Sequence, residues 1–394
     1  MKKHPVIALL WAQFSAYHVD RVEATARRLT GRARVVAVEV ATASETYAWE
    51  PSGAVAGADK VTLFPDTGYE AIGGWRRFSA MLGALRKADV VLVGIAYADA
   101  DIIALTWCLP LFGVRVIMLN QSKYDDLPRS SPYEFLKSIA LLPYGSAIVG
   151  GLRQMAYRRF LALRKMEVLP GYASVGTRRI LAQAGGVQAP DGLPHAQRHF
   201  VCISRFVPKK NMDELLEGYA QYATRPGTYP RRLVLVGSGP LEGALRTRAE
   251  ELGIAGLVDF AGWRSAPEVA RMLGEALALV LVSRVEQWGL VVNEALAVGL
   301  PIIASNAIGA CDALIRNLVN GYVVEPGSVE GTASAMAALA DDETNWRAMA
   351  QASRQRAWLG DAERFADAVE CLTCGPAPAA AARIEEFKAA MGWD

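Results

Sequence analysis

Histidine is scarce in this chain, four residues in 394, so few imidazoles are on offer as acids or bases. Cysteine is scarce too. Cys108, Cys202, Cys311, Cys371 and Cys374 form an odd, scattered set, which excludes a disulfide framework and suggests a reducing compartment. The lone Cys371-Leu372-Thr373-Cys374 has no second pair with which to complete a zinc site. Long hydrophobic runs are missing. No uncharged apolar stretch reaches about 18 residues, and Ser138–Leu152 is broken by Pro143 and three glycines. After Met1-Lys2-Lys3-His4, the run Val6–Trp11 is too short for a secretory core, and no small-residue cleavage site follows it. A charge excess is missing as well: 42 Lys+Arg against 40 Asp+Glu leaves +2, which argues against nucleic-acid binding by bulk charge. These absences predict a cytoplasmic protein whose membrane contact, if any, is peripheral on the inner face of the plasma membrane.

What is present is a globular composition, 52% hydrophobic and 21% charged. The length suggests two or three domains. Charge is uneven: residues 1–198 hold 24 basic and 16 acidic residues, and the remainder 18 and 24. A basic first half could face an anionic partner.

Short apolar runs alternate with longer amphipathic stretches. Val6–Trp11, Val35–Val40, Val61–Phe64, Asp89–Gly94 and Val114–Leu119 read as strands, with helices over His18–Thr30, Ile72–Lys87 and Ile102–Phe112. The rhythm restarts after Gly185–Pro194, which reads as an interdomain linker. Phe200–Ser204, Leu233–Val236, Val258–Phe260, Ala278–Val282 and Pro301–Ala304 are the later strands. Helices fall at Asn211–Ala223, Leu241–Leu252, Leu290–Ala297 and Ala380–Met391, and Pro267–Leu273 opens another. The pattern predicts an α/β chain with two Rossmann-like, doubly wound domains facing each other across a cleft. Domain boundaries are expected at 1–190 and 191–374, with a helix in 375–394 packing back toward the first domain. Ligands of such sheets bind beyond the carboxyl ends of strands.

Two segments there carry chemistry. In Ser283–Pro301 a strand ends, a loop carries Glu286, and Gly289 opens a helix. Exposed backbone N–H groups at that helix start form a phosphate site. Glu294 lies about one turn further on, so two acids would bracket a nucleotide-sugar. In Ser204–Asn211, Arg205 follows a strand and Lys210 precedes a helix, two cations able to neutralise a leaving diphosphate.

These segments, with Leu235–Leu241, Val258–Gly262, Gly299–Ser305 and Asn320–Gly327, occur in the order that resembles a retaining glycosyltransferase of family 4, with the GT-B fold. The resemblance covers about residues 200–330. It implies that Arg205 and Lys210 hold the donor diphosphate and that Glu286 bonds hydroxyls of the donor sugar. The backbone of Gly289, Leu290 and Val291 would meet phosphates or sugar, and Glu294 would hold the ribose. Gly262, Trp263 and Arg264 would border the base. Gly237 and Gly239 are donor-side glycines by the same resemblance, or simply a tight strand-to-helix turn.

The first half departs from the family. Where many members have a glycine-rich loop, this chain has Trp11–Arg21 without glycine. Where many have a histidine after a middle strand, it has Asn120 and Gln121, which bond sugars but do not act as ionisable bases. His18 is the best functional histidine, either on the acceptor side or as a helix-start residue making a local hydrogen bond. The basic stretch Leu152–Lys165 is amphipathic, and its Leu152, Met155, Ala156, Phe160 and Leu163 fit either a core-facing stripe or an anionic membrane.

The implied reaction moves a hexosyl-type sugar from a nucleoside-diphosphate sugar, UDP ahead of GDP, to an acceptor hydroxyl. The acceptor is expected to be a saccharide or lipid-linked saccharide in bacterial surface polysaccharide, lipopolysaccharide or glycoconjugate synthesis. Neither cofactor nor metal is expected, and Asp99-Ala100-Asp101 reads as a helix start. Retention by front-side attack is implied by the resemblance alone. Alternatives are an epimerase on the same fold, a natural-product glycosyltransferase, or a non-catalytic nucleotide-sugar-binding module.

Overall fold

A computed structural model describes residues 4–45, 52–97, 99–227, 229–375 and 377–392. The opening Met1-Lys2-Lys3 lies outside the described residues. The chain divides into two compact units, one made of Met1–Gly176 with Ala362–Asp394, the other of Thr177–Asp361.

The first unit holds seven strands: β1 Val6–Trp11, β2 Arg34–Ala43, β3 Asp59–Gly68, β4 Val90–Val93, β5 Arg115–Asn120, β6 Ser146–Val149 and β7 Glu167–Pro170. They form one sheet in the order β3-β2-β1-β4-β5-β6-β7, every pairing parallel. β1, β4, β5 and β6 are apolar almost throughout because helices cover both faces of a parallel sheet. The second unit holds β8 His199–Ile203, β9 Leu233–Val236, β10 Val258–Gly262, β11 Ala276–Leu281, β12 Ile302–Ser305 and β13 Gly321–Val324. Their order is β10-β9-β8-β11-β12-β13, again all parallel. Each sheet is therefore doubly wound, with its strand order reversing between β1 and β4 and between β8 and β11.

The domain boundary differs from the expected one. The chain crosses at Gly176–Thr177 and returns at Asp361–Ala362. Asp20 fixes the first crossing by accepting the Gly176 N–H at 2.6 Å, and the Ala362 N–H bonds the Val175 carbonyl at 2.8 Å. The Gly/Pro-rich stretch 185–194 belongs to the second unit and is not a linker. Ala189 N–H donates to Val298 O, and Arg354 donates to the carbonyls of Gln188 and Ala189 at 2.6 Å each. Glycine and proline there mark turns in a packed segment.

Residues 362–374, expected in the second domain, complete the first unit. The helices Ala362–Thr373 and Pro378–Met391 add Phe365, Ala368, Val369, Leu372 and Ile384 to the core beside β1 and the helix Ala16–Arg28. Ion pairs reinforce this seam. Asp367, fully buried, faces Arg28, Arg364 at 3.1 Å and Arg383 at 2.6 Å. No helix among the described residues is long and apolar enough to cross a membrane.

Candidate active site

The strand ends on either side of the β8/β11 reversal bring one predicted cation, Lys210, to the predicted acid, Glu286. β8 ends at Ile203, and Arg205 and Lys210 follow it; β11 ends at Leu281, and Glu286 follows that. β8 and β11 are paired neighbours, so the two loops emerge side by side. Lys210 Nζ donates to Glu286 Oε2, and both side chains are largely enclosed. A residue pair 76 apart in sequence is thus a direct ion pair.

Backbone bonds lock these loops to each other. The Lys209 carbonyl accepts the Arg284 N–H at 2.9 Å. Asn211, with φ of 59°, donates Nδ2 to the Val282 carbonyl at 3.3 Å and accepts from Arg284 Nε at 3.0 Å. Asn211 and Arg284 are positioning residues that sequence reading missed. The only signal was the asparagine after Lys209-Lys210, a residue type that tolerates a left-handed backbone.

Gly289 opens the helix Leu290–Ala297 with φ of 89°. A Cβ at Gly289 would lie 3.2 Å from Ile308 and 3.5 Å from Glu286 Cγ. The helix start therefore adjoins Glu286. The first N–H groups of a helix lack intrahelical partners, so Leu290 and Val291 present donors there. Trp288 Nε1 bonds Asn293 Oδ1 at 2.9 Å, and Asn293 Nδ2 bonds Gly360 O at 3.1 Å, which fixes this end of the helix in the core. Glu294 sits about one turn on and is 7% exposed.

Gly237 and Gly239 have a structural duty. A Cβ on Gly237, whose φ is 132°, would strike the Ser204 carbonyl, and one on Gly239 would strike the Phe206 carbonyl. Phe206 N–H bonds Ser238 O at 2.9 Å, so the loop after β9 lies against the loop that carries Arg205. Gly237→Ala is expected to destabilise the protein by about 2–4 kcal/mol. Gly243→Ala, in a helix with open space around it, is the control and is expected to be neutral or slightly stabilising. Equal melting temperatures for the two variants would refute the packing argument. Gly237 N–H bonds Gly262 O at 2.9 Å, which brings the exposed Trp263 and Arg264 to the same end of the sheet.

His18, Asn120 and Gln121 lie in the first unit. His18 is buried against the Trp11 ring at 4.8 Å, and its Nδ1 accepts the Ser15 N–H at 3.0 Å. Burial, with Arg21 nearby, holds the imidazole well below its ordinary pKa, so it is neutral at pH 7. With Nδ1 accepting, the ring proton resides on Nε2, which is then a donor. Asn120 ends β5 and its Oδ1 accepts the Ser122 N–H at 2.8 Å. Its Nδ2 is buried without a hydrogen-bond partner among the described residues. Gln121, next to it, is half-buried.

Sequence reading also missed Glu39. This buried acid accepts the Phe14 N–H at 3.1 Å and the Thr62 hydroxyl at 2.7 Å, and pairs with Lys60 at 2.8 Å. A carboxylate thus claims a backbone N–H in the loop that lacks glycine. Its signal was a charge amid the apolar strand β2. In Leu152–Lys165 the helix spans Leu152–Phe160 and buries Gln154, Met155, Tyr157 and Arg158. Of the five apolar positions predicted, Met155 is buried, while Ala156, Phe160 and Leu163 are exposed. A tyrosine and an arginine occupy the inward stripe instead.

Residues 188–356 match the family model described as Glycosyl transferases group 1. That stretch of the chain is similar to the group 1 glycosyl transferases. It contains every predicted donor-side residue. A GDP-mannose-dependent alpha-(1-6)-phosphatidylinositol monomannoside mannosyltransferase of Mycobacterium tuberculosis is 35% identical over 166 residues, 40% of this chain and 42% of that protein. The chain therefore spans under half the length of this curated relative. Among solved structures, sucrose-phosphate synthase from Thermosynechococcus elongatus superposes with TM-score 0.69 at 19% identity, covering 94% of this chain and 98% of the other. Anabaena HepE in complex with UDP gives TM-score 0.69 at 15% identity, covering 93% and 98%. Both structures share the two-sheet α/β architecture along nearly the whole chain, whereas the group 1 sequence match is confined to the second unit.

Proposed function

We propose that the protein transfers a glycosyl residue from a nucleoside-diphosphate sugar to an acceptor hydroxyl. The observation that carries this reading is the Lys210–Glu286 pair beside the helix start at Gly289, on the β8/β11 reversal. Charge develops on the diphosphate as the C1–O bond breaks, and preorganised cations and N–H donors lower that barrier. Lys210 and Arg205 face the diphosphate, the N–H groups of Leu290 and Val291 complete its cradle, and Glu286 takes donor hydroxyls. These cations do the work of a metal ion, so a chelator is expected to leave transfer intact. The acceptor oxygen bonds C1 on the face the diphosphate leaves, and its proton passes to the departing phosphate oxygen, which gives retention. The acceptor is a saccharide, free or lipid-linked, of the glycoconjugate type. The mannosyltransferase name supports glycosyl transfer, and the nucleotides differ, GDP-mannose in that name and UDP in the HepE complex.

A thermal-shift series with UDP, GDP, ADP and TDP tests the donor site and chooses the base. A nucleotide at a hundred times its Kd stabilises the folded state by about 2.7 kcal/mol. One of the four is expected to raise the melting temperature, and Glu286→Gln is expected to leave that rise largely in place. If none of the four shifts it, the reading is wrong.

A further inference from the structure

The helix Ser131–Ala140 is built inside out. It buries Glu134 and Ser138 and leaves Tyr133, Phe135, Leu136 and Ile139 on the outside, with Phe135 58% and Leu136 62% exposed. The inward polar stripe is anchored: Glu134 accepts from Tyr157 Oη at 2.6 Å and pairs with Lys137 at 2.9 Å and Arg129 at 3.5 Å. The apolar face is therefore held outward by satisfied polar bonds and is not a misplaced core face. It continues onto the end of the next helix. Lys137 Nζ lies 4.8 Å from the Tyr133 ring, Tyr157 stacks by Phe160 at 6.4 Å, and Tyr124 meets Phe160 edge-on at 5.5 Å. Phe160 and Leu163 are exposed beside Arg159, Arg164 and Lys165.

The net charge around this face is positive. Residues 121–165 carry eight basic and three acidic residues. All three acids are already paired: Glu134 as above, and Asp125 and Asp126 with Lys123 at 2.9 and 3.3 Å. An apolar patch rimmed by arginine and lysine, with tyrosines at the boundary, suits an interface whose outer layer is anionic and whose interior is hydrocarbon.

We propose that the outward face of Ser131–Ala140, extended by Phe160 and Leu163, docks the protein on an anionic lipid bilayer. Tyrosine and the aliphatic side chains enter the interfacial layer, while Arg159, Arg164 and Lys165 meet lipid phosphates. The stretch Leu152–Lys165, for which the sequence left a core or a membrane contact open, contributes its exposed end and its cations, but the main apolar surface comes from the preceding helix. The proposal is independent of glycosyl transfer, because the donor residues lie in the other unit.

Co-sedimentation of the full chain with vesicles tests it. The protein is expected to pellet with mixed phosphatidylcholine and phosphatidylglycerol vesicles, to stay in solution with phosphatidylcholine alone, and to be released by high salt. Leu136→Ser and Phe160→Ser are each expected to weaken binding roughly tenfold, and Lys165→Glu roughly fivefold. Tyr229→Ser, on an exposed residue of the other unit, is expected to change nothing. All four positions are exposed, so folding is preserved, and circular dichroism verifies it. Absence of binding to anionic vesicles, or equal binding to neutral ones, would overturn the proposal. So would a dimer in lipid-free solution that Leu136→Ser dissociates, since the face would then belong to a second copy.

Discussion

Lys210→Ala is expected to lower kcat/KM for glycosyl transfer by at least about a hundredfold to a thousandfold, the cost of losing one preorganised donor to a developing negative charge. The structure adds a second penalty. Lys210 and Glu286 are partly buried and bonded to each other. Removing the cation leaves the Glu286 carboxylate unpaired where an anionic diphosphate is to bind, so repulsion weakens donor affinity as well. The double variant Lys210→Ala with Glu286→Gln should therefore recover nucleotide binding, seen by thermal shift, without recovering turnover. Arg205→Ala is expected to cost less, because that side chain is exposed and water screens it. Transfer within tenfold of the unmodified protein for Lys210→Ala would remove the lysine from the reaction.

Asp367→Ala is expected to cost roughly 3–5 kcal/mol of stability, as breaking a buried charge cluster from one side generally does. Its carboxylate is fully buried and answers Arg28, Arg364 and Arg383. Without it the guanidinium groups of Arg28, Arg364 and Arg383 face the vacated position at the seam between the helices Ala16–Arg28, Ala362–Thr373 and Pro378–Met391, with Glu363 and Glu370 left beside Arg28 and Glu370 beside Arg383. Glu363 borders the same seam. Burial alone would raise its pKa, but bonds to Arg27 and Arg28 outweigh that and hold it below the usual carboxylate range. Its contribution is therefore present above about pH 4.3 and lost as pH falls through the depressed value. Urea unfolding at neutral pH measures the Asp367→Ala effect, and a loss under about 1 kcal/mol would show that Glu363 and Glu370 already balance the arginines.

Much of this was legible in the residues. Uniformly apolar runs announced parallel strands, and Leu233–Val236 and Leu290–Ala297 have the predicted limits. Lys210 and Glu286 were read from two separate segments and prove to touch. What was not legible depended on partners distant in sequence. The amphipathic helix Ala362–Thr373 announces that it is buried, but not against which sheet. The helix Ser131–Ala140 was not placed, and its amphipathic pattern by itself does not say that the apolar side faces outward. Gly185–Pro194 was mistaken for a linker because turn chemistry does not distinguish a free segment from one bonded along its length.

The return of the chain at Ala362 has a consequence for biosynthesis. The β1–β7 sheet is translated first, yet the helices that cover part of its face emerge only after an entire intervening domain has been made. On the ribosome, the later-made sheet can finish folding while the earlier one still waits with Trp11, Phe14 and Leu169 incompletely covered. The nascent protein therefore passes through a stage in which its oldest segment is its least finished.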